Sequence, residues 1–324
     1  MTRSPLYRNL PETDGVSMSD LSFQLNADDG HAIAVYHWPT VNPRGVVHVL
    51  HGMAEHGGRY ARLADALNNA GWVLVAHDHR GHGRSVGKNE LRGHFADADG
   101  WQKVLADVSV VQDWIGQQHP GLPRVLMGHS MGSFIALAWA LAHSPSLDGL
   151  LLSSTDMKPS WLYGVFRWVL KMARWRHGGQ GISPLIRALS FDAFAKKIKP
   201  RQTDYDWLSR DADEVALYID DPLCGHDCTV QLWTDMIGAL ADIRATGTAM
   251  LDAQLPVYMI AGDNDPMSDF GAGVRRLEKM LRAGGTENLR VDMYAGGRHE
   301  LLNDTERDAV TRRIVDWLEQ ITRR

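Results

Sequence analysis

The chain has 324 residues, 44% hydrophobic and 23% charged, which is long enough for one large α/β domain with an insertion. Its formal net charge of -5 offers nothing to a polyanion, so no nucleic-acid partner is expected. The N-terminal "MTRSPLYRNLPETDG" has no apolar leader run, and nowhere does a stretch approach the roughly 20 apolar residues that span a bilayer, so a cytoplasmic protein is expected.

Taken in chain order, "LSFQL" and "HAIAVYHW" flank the turn-like "NADDG" and predict an antiparallel hairpin at a sheet edge. Short apolar runs then alternate with helix-length amphipathic segments. "GVVHVLHG" predicts a strand, Arg59 to Ala70 a helix, "WVLVAHDHRG" a strand, and Asp97 to His119 a helix. "RVLMGHS" is the next strand, followed by a helix from Met131 to His143 and the buried strand "LDGLLLSST". The rhythm resumes at "LPVYMIAG", with a helix from about Phe270 to Arg282, the strand "LRVDMYAG", and a closing helix from about Glu306 to Ile321. Such alternation predicts an α/β fold with a mostly parallel sheet and right-handed crossovers.

Between those halves, from about Asp156 to Leu251, no strand signal stands out, and an α-helical insertion is expected. Its first part, "WLYGVFRWVLKMARWR", gathers Trp161, Val165, Trp168, Met172 and Trp175 on one face and Arg167, Lys171 and Arg174 on a narrow stripe. One reading packs this helix on the core with the basic stripe in solvent; the other lays it on a lipid surface. The two cysteines, Cys224 and Cys228, are too few for a disulfide framework and lack clear metal-ligand company, so reduced thiols and no metal are expected.

"GHSMG", Gly128 to Gly132, fits G-x-S-x-G and stands between a strand and a helix, the arrangement that exposes a serine on a sharp turn. A serine hydroxyl needs a histidine to take its proton, and that histidine needs a carboxylate to orient it and stabilise its charged form. Of the 15 histidines, His51, His77, His79, His82 and His129 fall near strand ends or turns, where hydrogen-bonded structural roles are the default. His299 instead follows the last strand in "YAGGRHELL", where Gly296 and Gly297 let the loop bend across the sheet's carboxyl end. In "AGDNDP" the G-x-x-D spacing from Gly262 selects Asp265 as the carboxylate; Asp263 reads as a turn former and Asp269 as an N-cap or first-turn acid. The amides of Met131 and of Met53, the latter in "LHGMAEHGGRY" with His51 and Gly52 shaping the loop, are the candidate oxyanion donors.

With "HGMAEHGGRY", "DHRGHGRS", "GHSMG", "GDNDP" and "GGRHELLND" in this order, the chain resembles the monoacylglycerol lipase and bacterial lysophospholipase branch of the α/β-hydrolase superfamily, from about Leu21 to the C-terminus. The resemblance implies an α/β-hydrolase core over residues 1–155 and 252–324, and a helical lid over an acyl tunnel at 156–251. It also implies Ser130, Asp265 and His299 as catalytic residues, Met53 and Met131 as oxyanion donors, and no cofactor. A polar pocket for the alcohol would be lined by Glu55, Arg59 and Tyr218. Leu302 stands where the lipases carry a second histidine, which bears on the alcohol recognised. The expected substrate is a small-molecule acyl ester of the single-chain lipid kind. Small-ester carboxylesterase and proline iminopeptidase activities, or ligand binding without turnover, are the alternatives, because fold and triad do not fix the substrate.

Overall fold

The computed structural model describes residues 22–322; the N-terminal stretch read for a leader run, and Leu21 at the start of the predicted hairpin, lie outside the described residues. β1 (Ser22–Asn26) and β2 (Ala32–Trp38) form the expected antiparallel hairpin. There follow β3 (Gly45–Leu50), α1 (Ala61–Asn69), β4 (Trp72–His77), α2 (Gly100–Gln118), β5 (Arg124–His129), α3 (Met131–His143) and β6 (Gly149–Ser153). Five helices then succeed one another without a strand: α4 (Ser160–His177), α5 (Pro184–Leu189), α6 (Phe191–Lys197), α7 (Ala212–Asp220) and α8 (Val230–Thr246). β7 (Val257–Gly262), α9 (Ala272–Ala283), β8 (Leu289–Tyr294) and α10 (Arg307–Ile321) complete the described chain.

The eight strands form one sheet in the order β1-β2-β4-β3-β5-β6-β7-β8, antiparallel at β1/β2 and β2/β4 and parallel elsewhere. β3, β4, β6 and β7 are buried at every residue, as strands covered on both faces must be, which is why they read as near-continuous apolar runs, interrupted within β3 by His48. One apolar cluster lies on the α2 and α3 face and continues through Tyr163, Leu170, Trp207 and Leu240 of the helical segment, so those helices share the core's own apolar interior. A second cluster lies on the opposite face under α1 and α10.

Two expectations change. α9 begins at Ala272 because Asp269, Phe270 and Gly271 all hold left-handed backbone angles, φ 58°, 55° and 82°, which a helix cannot contain. Asp269 is therefore not the N-cap; Gly271 is, and the Asp269 carboxylate pairs with Arg276 at 3.3 Å. In α4 the tryptophan face does not pack on the core. Tyr163, Leu170 and Ala173 are buried, while Trp161, Trp168 and Trp175 stay 70, 65 and 80% exposed. The helix has two apolar faces, and the one whose residues fit the interior turns inward.

Candidate active site

Ser130 sits between β5 and α3 with φ 52° and ψ -120°, a conformation that costs a non-glycine residue of order 1–3 kcal/mol. Its neighbours explain how the turn closes. A Cβ on Gly128 would lie 2.2 Å from the carbonyl oxygen of Gly132, and one on Gly132 would lie 2.0 Å from that of Leu50. Both positions exclude any side chain. The Ser130 N–H donates to the Ser153 carbonyl at the end of β6, 2.9 Å, which ties the strained residue to the sheet.

Asp265 follows β7 and is fully buried. One carboxylate oxygen, Oδ2, accepts from His299 Nδ1 at 3.0 Å, and the other, Oδ1, accepts from the Met267 N–H at 2.9 Å. Asp263 faces solvent and accepts from the Gly296 N–H at 2.6 Å, so it closes the turn against the histidine loop. That division is the one the G-x-x-D spacing predicts. Gly262 is compelled as well, because a Cβ there would meet the Gly297 carbonyl oxygen at 1.9 Å.

His299 has to reach from beyond β8 back across β7 and β6 toward β5. The Ser154 hydroxyl donates to its carbonyl at 2.5 Å, and its own N–H donates to the Trp207 carbonyl at 3.3 Å. Its ring stands 4.9 Å from that of Trp207 and 5.0 Å from that of His129, the residue before Ser130. With Nδ1–H given to Asp265, Nε2 carries the free lone pair. Burial opposes protonation of this ring, yet the charge and hydrogen bond of Asp265 outweigh it and raise the pKa above the ordinary 6.5.

The loop after β3 prepares an amide. His79 N–H donates to His51 Nε2 at 2.9 Å, which fixes the His51 proton on Nδ1, and that proton goes to the Gly52 carbonyl at 2.7 Å. In a trans peptide the N–H points away from the C=O, so pinning Gly52 C=O from the core turns the Met53 N–H the other way. Gly52 N–H is itself held by Glu55 Oε1 at 2.5 Å. Met131 is the first residue of α3, and its N–H has no acceptor within the helix.

Met53, Ser130 and Met131 open on a cavity of about 160 Å³ lined mainly by apolar side chains of α3 to α6 and α8, among them Phe134, Leu170, Ile186 and Leu240, and by Trp207 from the α6–α7 connection. An apolar cavity of ~150 Å³ stays dry and admits a hydrocarbon the size of benzene. The lining has one carboxylate, Asp156, whose Oδ2 is paired with Lys158 Nζ at 3.0 Å and whose pKa burial pushes up to about 6.

Glu55 and Arg59 do not line that cavity. They face a separate small pocket with His129, Glu300 and Leu302. Arg59 is gripped by Glu55 at 2.6 Å and by both oxygens of Glu300 at 2.7 Å, and Tyr218 lies under its guanidinium at 4.9 Å. Tyr218 lines neither space; its hydroxyl donates to the Ala54 carbonyl at 3.0 Å. Glu300, Trp207 and Ser154 went unnoticed in the sequence. Glu300 had a signal, being next to His299, but its Arg59 partner is far away in the chain.

Among the described residues, His56, Asp221 and Cys224 are the one group of potential metal ligands close enough to share an ion. Their hydrogen bonds speak against one. His56 Nδ1 accepts from the Gly58 N–H, which commits its proton to Nε2 and to Asp221, 3.0 Å away. An ion would have to displace that proton, beside the Arg59 charge that acts on Cys224.

The family model described as serine aminopeptidase, S33, matches residues 41–306. A monoacylglycerol lipase of Mycolicibacterium smegmatis is 30% identical, over 86% of this chain and 90% of its own. Human monoglyceride lipase is 27% identical over 97% and 95%. A thermostable carboxyl esterase from Bacillus coagulans, solved in complex with glycerol, superposes with a TM-score of 0.84 at 28% identity, covering 93% of this chain and 98% of that one. The chain belongs to the serine aminopeptidase S33 family of α/β-hydrolases, in the branch of the monoacylglycerol lipases and bacterial lysophospholipases, and with it to the carboxylic ester hydrolases.

Proposed function

We propose that the chain hydrolyses esters of single-chain lipids, of the monoacylglycerol and lysophospholipid kind, through Ser130, His299 and Asp265. The observation that carries this reading is the apolar cavity with the strained serine in its wall. An acyl chain buried there brings its carbonyl carbon to Ser130 Oγ. His299 Nε2 takes the hydroxyl proton as Oγ attacks, and Asp265 holds the imidazolium that forms. The oxyanion falls to the Met53 and Met131 amides, worth about 3 kcal/mol each. The alcohol leaves with the proton from His299, and water then releases the acid from the acyl-enzyme by the same two transfers.

The aminopeptidase in the family's description does not suit this cavity. A peptide N-terminus needs an unpaired carboxylate, and Asp156, the one carboxylate in the lining, is paired with Lys158, while Glu55 and Glu300 share Arg59 in the separate pocket. Residues 156–251 act in this reading as a lid. The outer face of α4 adds a place of work: exposed Trp161, Trp168 and Trp175, with Arg167, Lys171 and Arg174 exposed on the same helix, suit an interface with anionic lipid. No helix among the described residues is long and apolar enough to cross a membrane.

A hydrolysis panel of monoacylglycerols, lysophospholipids, short p-nitrophenyl esters and N-terminal proline amides, with Ser130→Ala as blank, tests the reading. Single-chain lipid esters should be turned over fastest. Fastest turnover of the short esters without chain-length dependence, or of the proline amides, would replace it with the corresponding alternative.

A further inference from the structure

The amide of Met53 belongs to a loop held from two sides, and the second side is the helical segment. Ala54 has φ 58°, a left-handed conformation that costs an alanine of order 1 kcal/mol or more and needs outside support. Its carbonyl accepts two hydrogen bonds from the α7 region, Tyr218 Oη at 3.0 Å and the Gly225 N–H at 2.9 Å. The Gly225 N–H also reaches Tyr218 Oη, at 3.2 Å, so the two donors form one clamp. Asp221, between them, holds His56 at 3.0 Å. The segment from Tyr218 to Gly225 thus grips the loop at Ala54 and at His56, whereas the core grips it at Gly52.

We propose that Tyr218 is a positioning residue for the oxyanion site, so that the Met53 amide is correctly aimed only while the α7 segment is seated on the loop. This rests on the hydrolase reading above and departs from the expectation that Tyr218 lines the alcohol pocket. Tyr218 touches no substrate: it is buried and lines neither cavity. The Gly52–Met53 peptide plane is set by His51 on one side, and the next residues, Ala54 onward, are set by Tyr218. Removal of the hydroxyl leaves one donor on the Ala54 carbonyl and lets the left-handed residue relax, which tilts the neighbouring amide away from the forming oxyanion. Because the ground-state ester needs that amide less than the tetrahedral intermediate does, the loss appears in kcat and not in KM.

The test is Tyr218→Phe, which keeps the ring under Arg59. On a p-nitrophenyl ester of medium chain length, kcat should fall ~10-fold or more with KM within about twofold of wild type. Inhibition by an alkyl trifluoromethyl ketone, whose hemiketal mimics the oxyanion, should weaken by the same factor as kcat/KM, and the acid limb set by His299 should not move. Asp221→Ala, which loosens the same segment without touching Ala54, should give a smaller kcat-only loss; thermal melting of both variants excludes unfolding. Unchanged kcat in both variants, or a rise in KM alone, would overturn the proposal while leaving the hydrolase reading intact. Absence of turnover and of Ser130 labelling in the wild type would take down both.

Discussion

At the scale of single residues, the two neighbouring acids Asp263 and Asp265 divide labour by burial. Asp265 is fully buried with one oxygen on His299, and Asp263 is exposed with one oxygen on Gly296. Asp265→Asn should lower kcat by about 10⁴, because an amide no longer selects the histidine tautomer or stabilises its charged form. Asp263→Asn should leave kcat within a few-fold and cost ~1 kcal/mol or less in a denaturant melt. Equal losses of kcat in the two would deny Asp265 its special place. The histidine also predicts a pH profile. In the proposed role of base it must be neutral, and Asp265 raises its pKa above 6.5, so kcat/KM should fall as pH drops through that raised value. This acid limb should lie above pH 6.5 in the wild type and move to lower pH in Asp265→Asn, as steady-state kinetics across pH 5–9 would reveal. These residues were legible in advance because each stands at a fixed offset from a glycine that the backbone requires. Arg59 and Glu300 were not paired in the sequence, since nothing local links residues so far apart.

At the scale of elements, every strand and each core helix was legible from period and length, and boundaries moved only where local backbone intervened, as at Asp269 to Gly271 before α9. The helical segment was harder. Its existence followed from missing strand signals, but which face of α4 turns inward did not, because two apolar faces compete and only the shape of the cavity decides between them. That outcome makes α4 the element to test on lipid. Replacing Trp161, Trp168 and Trp175 together by serine should abolish sedimentation with anionic vesicles, and charge reversal at Arg167, Lys171 and Arg174 should weaken it several-fold. Catalysis on a dispersed short ester should be unchanged. Binding that survives both sets of changes would move the lipid contact elsewhere.

At the scale of the whole molecule, the chain buries an unusual number of neutral histidines. His48, His51, His77, His79 and His82 are all within 1% of full burial. Gln112 donates to His48 Nδ1, which directs His48 Nε2–H onto His77 Nδ1. Burial lowers their pKa values, to about 3 for His77 and to about 4 for His226, whose ring lies 5.1 Å from that of His82. Unfolded, each titrates near 6.5, so below that pH the unfolded chain binds protons that the folded one refuses. Stability is then fully present above about pH 7 and is lost as pH falls toward the folded values, by up to ~1.4 kcal/mol per pH unit for each histidine. His299 acts in the opposite sense, its raised pKa favouring the fold at low pH, but it is one ring against several. The melting temperature should therefore drop steeply between pH 6.5 and 4.5, and His226→Asn should make that slope shallower; a flat profile would contradict the buried-histidine account. The histidines were visible in the sequence as "HDHRGHG", while their burial emerged only once β3, β4 and the α7 to α8 connection met. The central claim, that Ser130 is the nucleophile, is met most directly by labelling with a fluorophosphonate and locating the adduct by mass spectrometry. The account predicts a single adduct on Ser130 in the wild type and none in Ser130→Ala; equal labelling of the two proteins would contradict it.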